Sequence, residues 1–86
     1  MIEYEISPDN CADAVERFLE SGGALPPAGV TMLARWHDAG MSRGWTICEA
    51  DNAVDAGRWA NQWADLITQD ITPVVSDEEL GQILTG

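Results

Sequence analysis

The sequence predicts an α+β fold whose elements follow the order β-α-β-β-α-β, with a short helix after the last strand. Three observations carry this expectation. Ile2 to Ser7 alternate apolar and polar residues, Cys11 to Leu19 and Ala56 to Trp63 carry apolar residues at helical spacing, and two apolar runs, Val30 to Asp38 and Gly44 to Ala50, flank a glycine-containing turn. At 86 residues the chain suits a single domain, residues 1–86.

In the first strand Ile2, Tyr4 and Ile6 share one face and Glu3, Glu5 and Ser7 the other, so one side is buried. Pro8 and Asp9 interrupt it, and Asn10 is the expected N-cap of the first helix. Cys11, Ala14, Val15, Phe18 and Leu19 form that helix's apolar stripe. Gly22 and Gly23 end it, because a left-handed C-cap costs glycine nothing. Pro26-Pro27 then makes a stiff loop.

The second strand, Val30 to Asp38, sets Val30, Met32, Ala34 and Trp36 against Thr31, Leu33, Arg35 and His37. Ala39 to Ser42 form the turn. Gly44 to Ala50 make the third strand, with Trp45, Ile47 and Glu49 opposite Gly44, Thr46, Cys48 and Ala50. Asp51 or Asn52 caps the second helix, whose stripe is Ala56, Trp59, Ala60 and Trp63, running on towards Ile67. The fourth strand spans Thr68 to Val75, and Pro73 confines its end to an edge, a bulge or a terminus. Ser76-Asp77-Glu78-Glu79 fits a capping box and opens the last helix, with Leu80, Ile83 and Leu84 on its apolar side. This order is the ferredoxin-like arrangement, in which both main helices lie on one face of an antiparallel sheet.

Two such helices roof only one face, yet the second and third strands are apolar on both. The uncovered set predicts a two-fold homodimer built back to back through its sheets. Coverage by the terminal helix and the Pro26-Pro27 loop is the competing arrangement.

Fifteen acidic residues against four arginines and no lysine give a net charge of −11. That excludes sequence-independent binding to nucleic acid or to an anionic membrane, both of which need clustered cations. The scattered acids fit a solvated surface, a saline setting or a docking face for a basic partner. No signal-peptide pattern and no membrane-length apolar run is present, so a cytoplasmic location is expected. Cys11 and Cys48 read as buried thiols, and with one histidine they cannot complete a zinc site, so neither metal nor cofactor is expected.

Two residues are candidate acids or bases. Glu49 shares a strand face with Trp45 and Ile47, where burial would raise its pKa; a glutamate near the strand end, paired with Arg35 or capping backbone amides, is the plainer reading. His37 is the sole histidine and lies beside a turn, where a surface histidine is ordinary. Trp36 and Trp45 flank the hairpin at similar distance from its turn and can oppose each other, lining either a ligand cavity or a dimer interface. Trp59 and Trp63 share a helical face and read as core.

Gly44 to Asn52, Trp59-x3-Trp63-x2-Leu66 and Ile71-Thr72-Pro73-Val74-Val75-Ser76 resemble a small bacterial domain-of-unknown-function family within the dimeric α/β-barrel superfamily of ferredoxin-like proteins. Phe18, Gly22 and Trp36 extend the resemblance into the first half. It implies the fold and the dimer but no established activity. Better-studied members of that superfamily include cofactor-free monooxygenases, small isomerases and haem-handling enzymes that use a cavity between helices and sheet. Two expectations follow. One is a non-catalytic small-ligand-binding or accessory protein holding an apolar or aromatic molecule near Trp36, Trp45 and Glu49. The other is a cofactor-independent monooxygenase or isomerase using Glu49 or His37 as base.

Overall fold

A computed structural model describes residues 1–86 as four strands and three helices: β1 (Ile2–Ile6), α1 (Cys11–Glu20), β2 (Val30–His37), β3 (Arg43–Ala50), α2 (Ala53–Asn61), β4 (Ile67–Ile71) and α3 (Asp77–Thr85). The sheet runs β2-β3-β1-β4, and every neighbouring pair is antiparallel. This is the α+β, ferredoxin-like topology expected from the alternation of elements. No helix is long and apolar enough to cross a membrane.

The face beneath α1 and α2 follows from the register. Ile2, Tyr4 and Ile6 of β1 sit between Thr46 and Gly44 of β3 and Ile71, Gln69 and Ile67 of β4. Ile2, Val30 and Trp59 form the core cluster, with Met32 and Cys48 packed against it, and Ala14 of α1 and Ala60 of α2 are also buried. The core is small: only seven residues are buried.

A bulge overturns the strict alternation expected for the second strand. Met32 pairs with Cys48 and Ala34 with Ile47, which leaves Leu33 as an extra residue in β2. Val30 and Met32 therefore face the helices while Ala34 and Trp36 face away, and Arg35 and His37 turn inward in their place. Trp36 stands directly opposite Trp45 on the open face. There Leu33 and Trp36 are 55% and 59% exposed, so neither the terminal helix nor the proline loop covers them.

Other local expectations change for physical reasons. A single 3-10 turn, Pro8–Asn10, leads straight into α1, so Asn10 makes no side-chain cap; its amide instead donates to the Leu66 carbonyl at 3.2 Å. Asn52, rather than Asp51, caps α2 by accepting from Asp55 N at 3.0 Å. The last strand stops at Ile71, with Thr72 N still donating to Met1 O at 2.8 Å, because Pro73 has no N–H to continue the ladder. Cys11 and Cys48 are free thiols, half-buried rather than buried.

Ser76 and Glu79 do form the reciprocal capping box of α3, at 3.1 and 3.0 Å. From Ile71 onwards, however, every residue but Gly81 is exposed. This arm stretches the molecule to 47 Å and its radius of gyration to 14.3 Å, against about 12 Å for a compact chain of this length.

Candidate functional site

Between the helices and the sheet lies a half-open cleft of about 370 Å³. Its closed end is walled by the buried residues Ile2, Thr46 and Trp59. Exposed Leu19, His37 and Met41 stand at its mouth. Thirteen of its seventeen lining residues are hydrophobic, Tyr4 among them, and its polar groups are few: the Tyr4 hydroxyl with Arg35, His37, Thr46 and Gln69.

Gly44 makes the polar end possible. It pairs with Tyr4 on one side and His37 on the other, and the Tyr4 ring lies flat against it where any Cβ would intrude. From there the Tyr4 hydroxyl reaches Nδ1 of His37. Burial pushes the Tyr4 phenol above its ordinary value, opposed by Arg35 and helped by Asp38. Burial, and then the Arg35 charge, holds His37 below its ordinary value. Both groups are thus neutral at pH 7, and the phenol and the neutral imidazole share one hydrogen bond whose direction follows the imidazole tautomer. The His37 ring also meets Phe18 edge-on, with centroids 5.8 Å apart.

Arg35 is positioned by the end of α1. Gly22 and Gly23, at φ 78° and 98°, turn the chain in a Schellman motif: Gly23 N donates to Phe18 O and Gly22 N to Leu19 O. The carbonyls of Gly23 and Ala24 then accept from the Arg35 guanidinium at 2.6 and 3.1 Å, while its plane lies 5.3 Å from the Phe18 ring centroid. Burial lowers the Arg35 pKa, yet a guanidinium stays charged under any physiological condition. A second arginine pins the helices together. Arg17 of α1 grips Asp65 through two 2.7 Å bonds and also donates to Gln62 O at 3.2 Å, lying over Trp63. That bond holds the Asp65 carboxyl below the usual range.

The structure separates the residues singled out in the sequence. His37 lines the cleft. Trp36, Trp45 and Glu49 lie on the opposite, open face of the sheet, with Glu49 exposed and paired with Thr31 in the ladder. Glu49 therefore does not meet Arg35, which the bulge sends inward. Trp59 and Trp63 serve as core and cleft wall together. No three His, Cys, Asp or Glu side chains converge where a metal ion could sit.

The sequence did not mark Tyr4, Thr46 and Gln69 as site residues, and it offered Arg35 only as a partner for Glu49. The available signals were Tyr4 sharing a face with two isoleucines, and Gly44 inside a strand, which marks close approach by another group.

Neither curated proteins nor solved structures yield a match to this chain. A family model does, from the first residue to the last, 1–86. The chain belongs to the family described as a domain of unknown function, DUF3303.

Proposed function

We propose that this protein is a non-catalytic binding or accessory protein that holds a small apolar or aromatic molecule in the cleft between its helices and sheet, and that it works as a homodimer of the dimeric α/β-barrel kind. One observation carries the binding reading: a chain with seven buried residues leaves about 370 Å³ open beneath its helices. Small-molecule sites have this character, with apolar walls, a few convergent polar groups and volumes of about 300–1,000 Å³. Titration with 3-phenylpropan-1-ol, followed by NMR, tests it. The Trp59 and Trp63 indole signals and the Thr46 amide should shift together. Shifts confined to Trp36 and Trp45, or none at millimolar probe, would remove the reading.

The dimer is supported by the open face, where exposed Leu33 and Trp36 join half-buried Trp45 and Ile47 in an apolar surface. Sedimentation should give the mass of two chains; a mass of one chain at micromolar concentration would count against it.

A cofactor-independent monooxygenase or isomerase is favoured by one observation only, the neutral His37 imidazole held by Tyr4 at the cleft mouth. In that reading His37 is the base and Glu49, on the far side of the sheet, has no part.

A further inference from the structure

We infer that the cleft selects ligands bearing an acidic head, a carboxylate on an apolar or aromatic body, and that Arg35 is the residue that recognises it. The inference rests on the binding reading above and names its ligand class. Of the fifteen acidic residues in the chain, none lines the cleft, whereas one of only four arginines does. A molecule of net charge −11 has thus kept its cavity free of carboxylates and placed there a single fixed positive charge. The nearest acid whose charge is felt at Tyr4 is Asp38, and it lies outside the lining, where the Gly40 amide, Ser42 hydroxyl and Arg43 engage it.

The geometry of Arg35 suits the task. Two of the five N–H groups of its guanidinium hold the Gly23 and Ala24 carbonyls, and the remaining three have no partner in the protein. Those two bonds fix the fork before any ligand arrives, so less entropy is lost when it engages a carboxylate. The hydroxyls of Tyr4 and Thr46, the Gln69 amide and the His37 ring complete a polar set among apolar walls. No group in the lining carries a negative charge. A cationic head, by contrast, would meet Arg35 with no carboxylate to offset it.

The test uses three probes with one skeleton: 3-phenylpropanoate, 3-phenylpropan-1-ol and 3-phenylpropylamine, titrated calorimetrically into the whole protein at pH 7. The carboxylate should bind about tenfold or more tighter than the alcohol, since a charge-assisted hydrogen bond outweighs a neutral one, and the amine should bind weakest. The protein's overall negative charge works in the opposite direction, so a preference for the anion can only come from the cleft. Arg35→Gln should abolish the preference, bringing the carboxylate's affinity down to or below the alcohol's. Arg35→Lys should keep part of it, because charge remains and the fork is lost.

Equal or tighter binding of the alcohol to the unmodified protein overturns the inference and leaves the binding reading standing. Failure of all three probes overturns both. Should Arg35→Gln not fold, the carboxylate-to-alcohol ratio on the unmodified chain decides alone.

Discussion

Gly44→Ala tests the construction of the cleft at its tightest point. A methyl at Gly44 would stand 2.5 Å from Cζ and Oη of Tyr4, where ordinary contact begins at 3.4 Å. The phenol must then retreat by about 1 Å, losing His37, or β3 must bend; overpacking of this kind costs about 1–3 kcal/mol. Against that, replacing a strand glycine returns about 0.5–1 kcal/mol of backbone entropy. Taking the middle of each range the clash wins by about 1 kcal/mol, which for a chain of this size lowers Tm by about 4–8 °C. Thermal unfolding followed by circular dichroism reads the change.

A double-mutant cycle isolates the cause. With Tyr4→Ala already in place the space is empty, and adding Gly44→Ala should be neutral or slightly stabilising. Gly57→Ala is the control for the entropy term: its Cβ meets nothing within 4 Å in α2, so Tm should rise by up to about 8 °C. If Gly44→Ala leaves Tm unchanged or raises it, Tyr4 does not lie on Gly44, and the Tyr4–His37 pair is misplaced with it.

Three further outcomes are expected. Because burial and Arg35 hold His37 below its ordinary value, the unfolded ring takes a proton first as pH falls through about 6.5, so the stability His37 contributes is complete above that pH and fades below it; the Tm of the parent should drop relative to His37→Gln between about pH 7.5 and 5, and a constant offset across that range would contradict this. Trp36→Ser should change the monomer's stability by no more than about 0.5 kcal/mol, since the side chain is 59% exposed, but should shift sedimentation from two chains towards one while leaving 3-phenylpropan-1-ol binding intact; a dimer of undiminished strength places the interface elsewhere. Ser76→Ala removes a cap worth about 1 kcal/mol, yet α3 buries nothing, so amide exchange across Leu80 to Thr85 should accelerate severalfold with no change in Tm; a fall in Tm would show that α3 is packed in solution.

The elements were legible because each signals itself locally. Ile2, Tyr4 and Ile6 alternate, Gly22-Gly23 closes α1, and Ser76 with Glu79 caps α3, all through interactions within a few residues. The site was less legible because it depends on distant pairings. His37 looked like a turn residue until the β1–β3–β2 register set it beside Tyr4 across Gly44. Arg35 looked like a partner for Glu49 until the carbonyls of Gly23 and Ala24, twelve and eleven positions away, claimed it. Asn10 failed as a cap because the 3-10 turn before α1 holds it at helical dihedrals, while its side-chain N–H donates to the Leu66 carbonyl, far off in sequence.

The bulge at Leu33 explains why the reading of β2 failed and why both faces of the sheet are usable. Were Leu33 regularly paired instead of bulged, Trp36 would lie on the same side as Val30 and Met32, under the helices, and Arg35 and His37 would point into solvent. The cleft would then hold a large indole where it now holds a cation and an imidazole, and little volume would remain for a ligand. With the bulge, the start of β2 delivers Val30 and Met32 to the core, while its end delivers Arg35 and His37 to the cleft and Ala34 and Trp36 to the open face. A single unpaired position thus separates two surfaces that strict alternation would have merged, one polar-tipped and concave, the other apolar and outward-facing. The position of the bulge is decisive, because the parity must change between Met32 and Ala34 for Trp36 to face Trp45 while Arg35 faces Thr46.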